Sequence, residues 1–333
     1  MEKLGAEEDE YNTIFTENQN VVSFMQREKD ECQKKLETFK CPFDAKDELK
    51  HQGMSGLMIY KKGDYIIKAT SENLFKTDYY KEFLVHMILS RKQIPNFIEM
   101  KEIKECIVNN DVVSALIMER ADLGDLATYL NNHMTDAKFD MLDFCYKNLV
   151  QLLFSLNEAE KIFYLHGDLF NDNIFVKSTN LKYINFNGVW LPVTNNLILK
   201  IGDFDRSTFT EGRYKNIVDS LCRKFNCKPF DSIPNPARNN VLQLGVSFSS
   251  FLNKNHINYR SHQALSFLLL IMSANNLNFA GDAKSAFYQD FFDTSHLRSA
   301  KDIINLLESR HFLDGFKVRP VDVTTENTLV YTS

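Results

Sequence analysis

A change of hydrophobic period near residue 120 is the strongest constraint in this sequence. Residues 141–163 carry an apolar stripe at helical spacing, Leu142, Tyr146, Leu149, Leu153 and Leu156. A stripe of that length requires a helix packed against other elements. Ahead of residue 120 the pattern is shorter. Leu57-Met58-Ile59-Tyr60 and Tyr65-Ile66-Ile67-Lys68 flank Gly63-Asp64 and read as a hairpin. A helix is predicted over 76–91, where Tyr80, Leu84 and Ile88 share one face. Two more strands are predicted near 97–107 and 112–119. After the long helix come short strands at 173–176, 183–186, 189–193 and 197–201. The middle pair is joined by Asn187-Gly188, a strong hairpin signal. Residues 239–315 read as helical.

This order predicts an α+β chain in two lobes. A small β-rich N-lobe with one main helix spans 46–120, and a larger, mostly helical C-lobe spans 121–318. A charged extension, helical or partly disordered, precedes them at 1–45, and a tail follows at 319–333. A length of 333 residues suits two domains of about 150 each. A crevice between two lobes is a natural ligand site.

Composition narrows the partners. The net charge of −5, from 39 basic and 44 acidic residues, supplies no global basic field, so no direct nucleic-acid binding is expected. The longest apolar run, 267–272, is too short to cross a bilayer. With an acidic N-terminus and no signal-peptide pattern, the expectation is an intracellular soluble protein without membrane insertion. Six cysteines without a C-x-x-C spacing read as reduced thiols. His256, His262, His296 and His311 form no convincing ligand set in sequence.

The densest chemical signal is Leu165-His166-Gly167-Asp168-Leu169-Phe170-Asn171-Asp172-Asn173, followed by the apolar strand Ile174-Phe175-Val176. Downstream stands Leu199-Lys200-Ile201-Gly202-Asp203-Phe204-Asp205. The two skeletons, H-x-D-x-x-x-x-N and a strand ending in Asp-Phe, resemble the catalytic loop and metal-binding turn of the protein-kinase-like superfamily. Within it, the hairpin 183–192 and Asn235-Pro236-Ala237-Arg238 resemble serine/threonine-kinase-like proteins of large DNA viruses.

The resemblance implies a bilobal protein-kinase-like fold and an ATP- and Mg²⁺-dependent serine/threonine protein kinase. Asp168 would orient the acceptor hydroxyl, and Asn173 and Asp203 would hold Mg²⁺ through hard oxygen atoms. Lys68 would meet the α and β phosphates and pair with Glu82. Gly53 and Gly56 would form a shortened phosphate-covering loop. Met118 would back the adenine pocket, with backbone groups of Glu119 and Ala121 facing the base. Asp125 would reach the ribose or, equally well, cap a helix. Asn240 stands where such kinases carry Asp. The implied partners are protein substrates of virion or host, and the implied compartment is host cytoplasm, nucleus or virion.

Three departures accompany the match. Gly167 replaces an Arg that pairs with activation-segment phosphate, so activity without activation-loop phosphorylation is expected. Phe170 replaces a γ-phosphate-contacting Lys. Asp205 replaces the Gly of Asp-Phe-Gly, where it either joins the metal shell or faces solvent, the second being favoured. His-Gly-Asp-Leu with Asp-Phe-Asp also resembles aminoglycoside and choline phosphotransferases. A pseudokinase that only binds is the third reading.

Overall fold

The computed structural model describes residues 48–49, 58–70, 78–108, 111–225, 239–273 and 298–332. Gly53, Gly56, Cys227, residues 235–238, His296 and all of the 1–45 extension lie outside the described residues. The fold is mixed α+β, with small sheets and several helices. Among the described residues no helix is long and apolar enough to cross a membrane.

The chain divides into two compact units, one from residues below 78 and 101–118, the other from 78–100 and 119–333. The first carries strands β1 (Glu48–Leu49), β2 (Met58–Lys62), β3 (Tyr65–Thr70), and most of β4 (Met100–Val108) and β5 (Asp111–Glu119), in the order β1-β2-β3-β5-β4. The β2–β3 hairpin turns at Gly63-Asp64 as read from sequence, with Lys62 opposite Tyr65 and Ile59 opposite Lys68. Ile67 and Ala69 are buried between half-buried Ile66 and Lys68, the alternation expected of a strand with one covered face.

The second unit begins with α1 (Asp78–Arg91). This helix, expected within the 46–120 lobe, falls in the second unit. Asn96 is wholly buried just past the helix. Its carbonyl accepts from Ile201 N–H at 2.7 Å, its amide donates to Leu199 O at 2.7 Å, and its Oδ1 accepts from Ser155 Oγ at 2.8 Å. Three satisfied groups bind the segment after α1 into this unit's core.

Next come α2 (Leu126–His133) and α3 (Met141–Glu160), then β6 (Tyr164–Leu165), β7 (Ile174–Ser178), β8 (Tyr183–Phe186), β9 (Val189–Pro192), β10 (Leu197–Ile201) and β11 (Thr208–Phe209). The long stripe read from sequence becomes α3, whose residues Leu149, Leu152, Leu153 and Leu156 are fully buried. Among the described residues the helices that follow are α4 (Gly212–Phe225), α5 (Asn240–Lys254), α6 (Gln263–Met272), α7 (Ala300–Ser309) and α8 (Asp314–Lys317). α5 and α6 approach closely at Gly245, where an added Cβ would stand 2.5 Å from that of Met272.

Two features depart from the sequence reading. The segment assigned to a tail forms β12 (Thr328–Tyr331), parallel to β8 and completing a β12-β8-β9 sheet. Cys222 on α4 is disulfide-bonded, against the expectation of free thiols. Cys145 is a free, buried thiol, and burial pushes its pKa up to about 12.

Candidate functional site

The site is built around the antiparallel β7–β10 ribbon. Ile174 lies opposite Ile201, so the residues just outside this pair, Asn173 and Gly202, emerge at the same end. Gly202 N–H donates to Asn173 O at 3.0 Å. Asp203 follows directly. The two sequence motifs therefore meet because strand pairing brings one's exit beside the other's entry.

Asp168, Asn173 and Asp203 are arranged by hydrogen bonds. Asn173 Nδ2 donates to Asp168 O at 2.7 Å and to Asp168 Oδ2 at 3.2 Å. The 3₁₀ turn Asn171–Asn173 makes this reach possible. With the amide nitrogen so engaged, Asn173 Oδ1 is the atom left as an oxygen donor. Asp203 has φ +60, a left-handed conformation costly for a residue with a Cβ and concentrated at functional sites. Asp205 is not among the positive-φ residues and is exposed. The left-handed residue is the Asp itself, so no Gly is required at 205.

His166 joins the two halves. Its Nε2 donates to Gly202 O at 3.0 Å, while Nδ1 accepts from Asp168 N–H at 3.4 Å. That pair of partners assigns the proton to Nε2. Burial holds the ring's pKa below its ordinary value, although the Gly202 carbonyl and the charges of Asp203 and Asp168 all oppose this. Both carboxylates thus act on one buried, neutral imidazole. Phe204 is 1% exposed, its ring 5.8 Å from His166, 4.6 Å from His86 on α1 and 6.3 Å from Phe97. Glu82, also buried, lies one helical turn before His86.

Gly167 is required on two counts. Its φ is +80, and a Cβ there would lie 2.6 Å from Arg206 O. The Arg expected at this position in the resemblance has no room for its own Cβ. Phe170 is 5% exposed and packs as a core residue.

Helix α5 holds the loop from beneath. Asn240 Oδ1 accepts from His166 N–H at 2.8 Å and its Nδ2 donates to Tyr164 O at 3.2 Å. Here Asn serves where Asp was expected, with a donor to spare. Gln243 Oε1 accepts from Leu169 N–H at 2.8 Å and Nε2 donates to Gly167 O at 3.2 Å. Ser247 Oγ accepts from Asn171 N–H at 2.9 Å. Gln243 and Ser247 are absent from the sequence-based site. Their signal was present: polar residues three and seven positions after Asn240, spaced to share one face of a buried helix.

The other anticipated residues are less concentrated. Lys68 is half-buried on β3, and Met118 is buried at the end of β5, both in the first unit. The Glu119 carboxylate receives Lys177 at 2.7 Å, Lys200 at 2.9 Å and Glu99 N–H at 2.8 Å. Burial would raise its pKa, but the two lysines outweigh that and hold it below the ordinary range. Its own N–H donates to Glu99 O at 2.8 Å. Ala121 is half-buried. Asp125 accepts from Thr128 N–H through Oδ1 and from Thr128 Oγ1 through Oδ2, each at 2.8 Å. Of its two sequence readings, the helix cap is the one observed.

Among the described residues no group of three or more His, Cys, Asp or Glu could by itself hold a metal. The Asn173–Asp203 set is a different kind: an amide oxygen and a carboxylate, hard donors in the small number that Mg²⁺ takes when water and phosphate complete its shell. The donor chemistry therefore fits Mg²⁺ shared with a phosphate ligand. No protein-family model matches the chain, and no curated protein is significantly similar to it.

Proposed function

We propose that this chain is an ATP- and Mg²⁺-dependent phosphotransferase of the protein-kinase-like superfamily, of serine/threonine type, acting on protein hydroxyls. On this reading the fold is kinase-like and bilobal. The observation that carries it is the Asn173–Asp168 hydrogen bond, set beside the clamp of His166 and Asn173 on Gly202. Together they put a base, an amide oxygen and a strained carboxylate at one end of one ribbon.

In the mechanism, Asp168 accepts the proton of the acceptor hydroxyl as its oxygen bonds to the γ-phosphorus and the bond to the ADP oxygen breaks. Asn173 and Asp203 would hold Mg²⁺, which when bound offsets charge on the β and γ phosphates. His166 keeps Gly202 in place and so fixes where Asp203 leaves the strand. The roles of Lys68 with Glu82, and of Met118, Glu119 and Ala121, rest on the resemblance alone.

One observation favours a second reading, a binding module with little transfer. Phe170 is buried where a phosphate-contacting Lys is expected. Radiolabelled ATP with casein, a basic protein, and an aminoglycoside and choline panel separates the cases. Label on protein that disappears in Asp168→Asn is the expected result. Label on a small molecule alone replaces the acceptor class, and Mg²⁺·ATP binding without any transfer replaces the first reading with the second.

A further inference from the structure

We infer that Gln243 is a positioning residue for Asp168, setting the carboxylate's direction by fixing the peptide planes on both sides of it. The inference rests on the phosphotransferase reading for its consequence in turnover, but not for its geometry.

A residue's Cα–Cβ direction is set once the two peptide planes flanking its Cα are fixed. Gln243 Nε2 donates to Gly167 O at 3.2 Å, which orients the plane before Asp168. Gln243 Oε1 accepts from Leu169 N–H at 2.8 Å, which orients the plane after it. The second plane is also held by Asn173 Nδ2 on Asp168 O at 2.7 Å. The first is met on its N–H side only by the long 3.4 Å bond from Asp168 N–H to His166 Nδ1 among the bonds described, and it begins at a residue with φ +80. Gly167 is the least restrained residue type in the loop, so this is where the loop most needs an external hold.

The residue type follows from the task. Bridging an N–H and a carbonyl from one side requires a donor and an acceptor side by side on one planar group, which the Gln side-chain amide supplies. Gln243 is 3% exposed, so water does not replace either bond at low cost. Asn240 and Ser247 hold the loop at residues 164–166 and 171. Neither touches the planes adjoining Asp168. Gln243 sits between them in the helix and acts on the loop's centre.

The test compares wild type with Gln243→Met, close in size but unable to make the pair of bonds. Ser249→Ala is the control, because its hydroxyl bonds only within α5, to Gly245 O at 2.8 Å. Two readouts are taken on protein shown to be folded by thermal melting. Amide hydrogen exchange is expected to speed up at Leu169 in Gln243→Met and not in Ser249→Ala. Phosphoryl transfer is expected to lose on the order of 100-fold in kcat, with KM for ATP within about twofold of wild type, the pattern of a misplaced reacting group. Unchanged exchange at Leu169, or a kcat loss no larger than in Ser249→Ala, overturns the inference. A wild-type protein that transfers no phosphoryl group defeats the function reading, and the exchange measurement still decides whether Gln243 holds the loop.

Discussion

Asn173 donates its side-chain amide to the carbonyl oxygen of Asp168 at 2.7 Å and to that residue's Oδ2 at 3.2 Å. One group thereby holds the candidate base and, on the proposed reading, leaves its own oxygen for Mg²⁺. Removing it should damage both roles. Asn173→Ala is expected to lower kcat by on the order of 100-fold or more. Asn173→Asp should be less stable than wild type, by roughly 1–3 kcal/mol, because a carboxylate cannot donate to the Asp168 carbonyl. Steady-state kinetics and urea unfolding check the two effects separately.

Gly167 predicts a failed restoration. Writing the expected Arg back at this position, or even Ala, places a Cβ 2.6 Å from Arg206 O on a backbone with φ +80. The conformation alone costs about 1–2 kcal/mol for a residue with a side chain. Gly167→Ala should therefore lower the unfolding midpoint, and Gly167→Arg should lower it at least as much without raising activity. A Gly167→Arg protein of wild-type stability would contradict the description of this turn.

The ion trio at Glu119 gives a stability prediction. Lys200 is nearly covered and Lys177 is about a third exposed. Glu119→Ala strands a buried ammonium and should cost about 3–5 kcal/mol. Lys177→Ala removes the more exposed partner and should cost under about 1 kcal/mol. Adding Lys200→Met to Glu119→Ala should recover part of the loss, since the unpaired charge is then gone. Denaturant midpoints for the three proteins test the ranking.

Glu160 predicts a pH effect. Burial raises its carboxyl from 4.5 to about 7, with Asp302 adding to the rise and the Ala300 N–H opposing it. The folded chain keeps this proton while the unfolded chain releases it above 4.5. Its contribution to stability is complete below 4.5 and falls away as pH rises to about 7. His166, held below its ordinary pKa by burial, acts in the opposite sense, so the readout is a difference. Melting temperature against pH for wild type minus Glu160→Gln should decline between pH 4.5 and 7 and flatten above. A flat difference across that window would contradict the assignment.

What was legible in the sequence was local. Gly63-Asp64 and Asn187-Gly188 announce their hairpins because turn chemistry is set by adjacent residues. The stripe of α3 and the spacing of Asp168, Asn173 and Asp203 could likewise be read directly. The illegible parts depend on distant partners. β12 has no turn signal, because it pairs with β8, far back in the chain, and Asn327 O accepts from Lys182 N–H at 2.7 Å and Tyr183 N–H at 3.2 Å. That Asn96, just past α1, meets Leu199 and Ser155 is encoded by no local pattern. Asp125 fits a cap or a ligand contact equally well on paper, and its bonds to Thr128 show the cap. The Gln243–Ser247 hold was visible as polar residues on one face of a buried helix, but what those residues grip comes from the fold.

The most direct test of the central claim is Mn²⁺ binding, in place of Mg²⁺, followed by electron paramagnetic resonance with and without ATP. Wild type is expected to bind Mn²⁺ in an ATP-dependent manner, and Asn173→Ala and Asp203→Asn to weaken that binding at least about tenfold (roughly 1.4 kcal/mol) in protein shown to be folded at the temperature of the measurement. ATP-dependent binding of equal strength in all three proteins, or none in wild type, would contradict it.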